Sequence, residues 1–121
     1  MEISEKSVGN LNIISISGRL DAYAASEVER KLDSLITAGH VCLVVDLRRL
    51  EYISSSGLRV LLAAIKRVKK EQGDIRLACL QPSVKEVFDM AGFTQLFRIF
   101  GKEEEAANSF TKASNGDSND K

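Results

Sequence analysis

Tryptophan is absent from this chain, histidine and proline occur once each, cysteine occurs twice, and no apolar run approaches membrane length. Each scarcity removes a class of function. The single histidine, His40, follows Gly39, which reads as the C-terminal cap of a helix, so its expected address is a surface loop. No metal site and no cofactor site can be assembled from this inventory of ligands. Cys42 and Cys79 each sit in a strand-like apolar run, 41–45 and 75–80, and neither belongs to a Cys-x-x-Cys pair. They read as small buried hydrophobes, not as a disulfide or redox couple. A membrane-spanning helix needs about 20 consecutive apolar residues, and nothing here comes near it. Met1-Glu2-Ile3-Ser4-Glu5-Lys6 lacks the apolar core of a signal peptide, so a cytoplasmic location is expected. Basic and acidic residues balance at 17 each, so no overall field draws the chain to nucleic acid or to a membrane surface. Lys66, Arg67, Lys69 and Lys70 do cluster, but at the C-terminal end of a helix, where cations complement the helix dipole. The aromatics are Phe and Tyr, mostly within apolar runs, so nucleic-acid stacking finds no support.

What is present is enough for one domain with a single core. A chain of 121 residues buries about two-thirds of its unfolded surface. Residues 2–8 and 11–17 are β-favouring runs joined by the turn signal Gly9-Asn10, which predicts an antiparallel pair ended by Gly18. Asp21 leads into a helix over about 23–38, with Val28, Leu32, Leu35 and Ile36 on its apolar face. The uninterrupted run 41–45 predicts a strand covered on both faces. A second helix over 55–71 carries Leu58, Leu61, Leu62, Ile65 and Val68 as its buried stripe. A strand over 75–80 follows, then a helix opened by Pro82 and closed by Gly92, an edge strand over 96–100, and a short helix over 102–110. From residue 111 to 121 the chain is polar with nothing to bury, and that tail is expected to be disordered. The order β-β-α-β-α-β-α-β-α predicts an α/β layer sandwich on a mixed sheet.

Chemistry concentrates in one place. Ser54, Ser55 and Ser56 stand at the junction of an apolar stretch and the second helix. A nucleophile elbow would read Gly-x-Ser-x-Gly, but Ile53 and Tyr52 occupy the positions two before Ser55 and Ser54. No Gly-rich phosphate loop with its Lys exists either, so no enzyme is legible. From composition alone, the serines read as helix caps.

The same stretch, Tyr52-Ile53-Ser54-Ser55-Ser56-Gly57-Leu58, resembles the signature of bacterial anti-sigma factor antagonists, the small STAS domains. That signature is an aromatic, an aliphatic, Asp, Ser, then Ser, Thr or Ala, then Gly and Leu. Further segments resemble the family in order: 18–22 its turn into the first helix, 44–47 its central strand, and 81–93 its third helix and the turn after it. The resemblance runs from about residue 3 to 108, and implies a STAS domain over 1–110. It implies a non-enzymatic binding module whose partner is a serine-kinase anti-sigma factor. By the same resemblance, binding that kinase would release the sigma factor, phosphorylation of Ser55 would end the binding, and a phosphatase would reset the cycle. The implied contact surface comprises Asp21, Ser54, Ser56, Gly57 and Arg59, with Asp21 equally readable as a helix cap. One position departs from the signature: Ser54 stands where the family has Asp. Two alternatives stay open at this point, a non-switching STAS scaffold subunit of a sensory assembly and a nucleotide-binding STAS domain.

Overall fold

The computed structural model describes the backbone of residues 1–119 and the side chains of residues 1–111. A hairpin opens the chain: β1 (Glu2–Val8) and β2 (Leu11–Leu20) pair antiparallel, with Val8 opposite Leu11. Then follow α1 (Ala22–Thr37), β3 (Cys42–Asp46), β4 (Leu50–Ile53), α2 (Ser55–Lys70), β5 (Asp74–Ala78), α3 (Pro82–Met90), a 3-10 turn at Phe93–Gln95, β6 (Arg98–Phe100) and α4 (Glu103–Asn119). The sheet runs β1-β2-β3-β5-β6, parallel from β2 onward, and β4 pairs parallel with β2 off that path. The mixed α/β architecture is the one expected. No helix among the described residues is long and apolar enough to cross a membrane.

Alternation along each strand divides the core in two. Ile14, Ile16, Leu43, Val45, Ile75 and Leu77 face the layer of α1, α2 and α3 and form the larger core with Val28, Leu32, Leu61, Ile65, Val68 and Phe88. Leu11, Ile13, Val44 and Ala78 face the other way, under Ala106 of α4. α4 adds little apolar area and is held by polar contacts as well. Arg76 of β5 bonds Asp74 (2.9 Å) and Ser109 (2.8 Å), with its guanidinium 3.9 Å from the Phe110 ring centroid. Lys6 reaches Glu103 at 2.8 Å. That bond holds the Glu103 carboxyl below its ordinary range, while burial pushes the Asp46 carboxyl up.

The sheet departs from the sequence expectations in four places. β2 does not end at Gly18 but continues to Leu20, because Gly18 takes a φ of +89° and lets the strand shift register there. A side chain at Gly18 would also meet the Met1 backbone, with a Cβ 3.2 Å from Met1 Cα. The extension of β2 offers an edge, and Leu50–Ile53 pairs with it as β4, a strand the sequence did not announce. Leu96 and Phe97 are not part of the last strand: Phe97 turns into a cluster with Phe88 and Phe93, and only Arg98–Phe100 pairs with β5. β5 ends at Ala78, so Cys79 lies beyond it, at a φ of +64°. Both cysteines are half-buried and unpaired. α4 continues past Phe110 to Asn119; the stretch expected as a disordered tail falls partly here and partly outside the described residues.

Candidate functional site: the serine turn at the start of α2

β2 and β4 run parallel and end together, with Leu20 opposite Ile53. Each strand leads straight into a helix, so the N-termini of α1 and α2 emerge side by side. Asp21 caps α1, its Oδ1 accepting from the Ala24 N–H at 2.8 Å. Ser54 caps α2 in the same manner, its Oγ accepting from the Gly57 N–H at 3.1 Å. The Ser54 N–H donates to the Leu20 carbonyl at 2.9 Å and ties the two strand ends together. The two helices stay in register to their far ends, where Arg67 of α2 pairs with Asp33 of α1 and reaches Thr37.

The three serines therefore have different surroundings. Ser54 is the cap and its oxygen is occupied. Ser56 is half-buried in the second helical position. Ser55, the first residue of α2, is exposed and its hydroxyl has no partner among the described residues. Ser55 and Ser56 N–H groups also lack an acceptor within the helix, as first-turn donors must. No acidic residue lies in the first turn of α2, so no carboxylate of its own first turn offsets the positive dipole end.

Gly57 is what allows this seat. A Cβ at that position would stand 2.9 Å from both Ile53 Cγ1 and Leu20 Cγ, closer than packed carbons approach. The glycine lets α2 settle against the ends of β2 and β4. Replacing Ser54 with alanine removes only the cap, and is expected to cost about 1 kcal/mol, read as a lower urea midpoint with unchanged slope. A loss near zero would mean that water serves the Gly57 N–H equally well. Asp and Ser are comparable caps, so the chain's departure from the signature at this position preserves the helix start.

Of the residues singled out from sequence, Asp21, Ser54, Ser55, Ser56 and Gly57 come together around the two helix starts. Arg59 lies one turn further along α2, exposed. The structure adds neighbours that sequence reasoning did not single out. Arg19, opposite Tyr52 in the β2–β4 register, holds its guanidinium 4.2 Å from the Tyr52 ring centroid. Tyr23, in the first turn of α1, is 91% exposed. Its signal in the sequence was an aromatic lying off the apolar stripe of α1.

Against known proteins, the model of the STAS domain family matches residues 3–106. The chain belongs to the STAS domain family. Its relatives include a Bordetella bronchiseptica protein named "Putative anti-sigma factor antagonist BtrV", 34% identical over 113 residues, covering 93% of this chain and 97% of that protein. The anti-sigma-B factor antagonist of Bacillus subtilis is 32% identical over 91 residues, 75% of this chain and 83% of that one. Among solved structures, unphosphorylated SpoIIAA superposes with a TM-score of 0.82 at 23% identity, covering 92% of this chain and 97% of SpoIIAA. SpoIIAA in its phosphorylated form gives 0.74 at 22% identity, over 90% and 99%. These two likenesses speak to the fold.

Proposed function

We infer that this chain is an anti-sigma factor antagonist that binds a serine-kinase anti-sigma factor and is switched off by phosphorylation of Ser55. The observation that carries the reading is the division of labour at the turn: the Ser54 oxygen is engaged as a cap, and the neighbouring Ser55 hydroxyl is exposed and unengaged. Support comes from the antagonist names of its relatives and from a fold shared with a protein solved in phosphorylated and unphosphorylated forms.

In the unmodified state the face around Asp21, Ser54, Ser56, Gly57 and Arg59 occupies the kinase in the cytoplasm, and the sigma factor is released. The kinase transfers the γ-phosphoryl group of ATP to Ser55 Oγ. The new P–O bond forms as the bond to ADP breaks, and the hydroxyl proton passes to a base of the kinase. A phosphatase hydrolyses the ester and restores binding. The phosphate lies at the positive end of α2, where negative charge is stabilising, so modification leaves the fold in place.

Intact mass with site mapping, on protein recovered from its own cells, tests the reading. A species heavier by one phosphate, mapped to Ser55 and missing from a Ser55→Ala chain, is the expected result. Absence of that species under every growth and stress condition would sink the phosphoswitch.

A further inference from the structure

Arg59 stands four residues after Ser55 on the same face of α2, and both side chains are exposed. Residues at i and i+4 of a helix hold their Cβ atoms about 5–6 Å apart, and the favourable order places the anion N-terminal to the cation. Phosphoserine 55 and Arg59 would have that order. Arg59 makes no ion pair among the described residues. The other charged groups that neighbouring elements bring toward the turn are differently placed. Arg19 of β2 lies over the Tyr52 ring, Asp21 is engaged as the cap of α1, and Glu51 is an exposed residue of β4.

We propose that Arg59 is the residue that holds the phosphate of phosphorylated Ser55 in cis. This rests on the reading of Ser55 as the modified residue and adds a mechanism to it. A guanidinium offers two parallel N–H donors to phosphate oxygens, so the pair is directional as well as electrostatic. Phosphorylation then alters the face twice over. It adds a dianion, and it withdraws an exposed cation on the same face of α2, unpaired among the described residues, from any acidic partner surface.

The test uses the full chain with phosphoserine installed genetically at position 55, so that it depends on no kinase. The second ionisation of the phosphate is followed by 31P NMR against pH, in the otherwise unaltered chain and in Arg59→Ala, Arg59→Lys and Arg19→Ala variants. Pairing favours the dianion, so the midpoint in the unaltered chain should lie below that of Arg59→Ala by about 0.3 pH unit. Arg59→Lys should keep part of that difference, and 1 M salt should erase most of it. Equal midpoints with and without Arg59 would overturn the proposal. So would a difference abolished by Arg19→Ala and retained in Arg59→Ala. Circular dichroism confirms that each variant is folded. If cellular protein carries no phosphate at Ser55, the switch reading fails separately, whatever the NMR titration returns.

Discussion

A chain carrying phosphoserine at position 55 is expected to bind the proposed serine-kinase partner at least about a hundredfold more weakly than the unmodified chain, with no loss of folded structure. The magnitude follows from where the charge goes. Ser55 is exposed at the first position of α2, beside the capped start of α1, so the phosphate stands on the proposed contact face itself. It brings nearly two negative charges. Association would have to desolvate that dianion, and meeting like charge across an interface costs several kcal/mol. A hundredfold loss requires only about 2.8 kcal/mol, so electrostatics suffices and no conformational change need be invoked. Calorimetric titration of the kinase with both forms measures the ratio, and thermal melting of each form checks the fold. A loss smaller than tenfold would show that phosphorylation acts elsewhere than on this face.

The largest stability effect is expected from Phe88→Ala, which should cost about 3–5 kcal/mol. Phe88 is fully buried, and its ring meets those of Phe93 and Phe97 edge-on at 6.0 and 6.2 Å. Truncation removes the shared member of both pairs and leaves a cavity between α3 and the turn that follows it. Domains are stable by only about 5–15 kcal/mol, so this one side chain accounts for a large share. α3 packs against β4, and among the described residues β4 has β2 as its sole strand partner. Loosening α3 therefore loosens the strand from which the serine turn springs. Urea denaturation should show a sharply lowered midpoint with the slope preserved. A cost below about 1 kcal/mol would mean that Phe93 and Phe97 collapse into the space.

Much of the molecule was legible without coordinates. The stripes of α1 and α2, the continuous run of β3 and the Gly9-Asn10 turn all express local periodicity or turn chemistry, which act over a few residues. The serine turn was legible for the same reason: capping depends on a side chain and the N–H three residues on. β4 was not. Leu50-Glu51-Tyr52-Ile53 buries its two ends and exposes its middle, which is not strand alternation, and its strand character comes from the edge that β2 offers beyond Gly18. Leu96-Phe97 read as strand because apolar runs look alike whether they enter a sheet or an aromatic cluster. The buried Asp74–Arg76 pair was invisible as well, since α4 lies 27 or more residues further along the chain and supplies Ser109 and the Phe110 ring only after docking.

By itself the sequence determined most of the elements, the family resemblance and the place of the serine turn, because these depend mainly on neighbours close along the chain. Only the structure decided which hydroxyl is engaged and which has no partner among the described residues, and that Asp21 stands beside them. The register of Leu20 against Ile53 brings two helix starts, more than thirty residues apart in sequence, onto one face. Such adjacency is a property of strand pairing across a sheet, which no local pattern encodes.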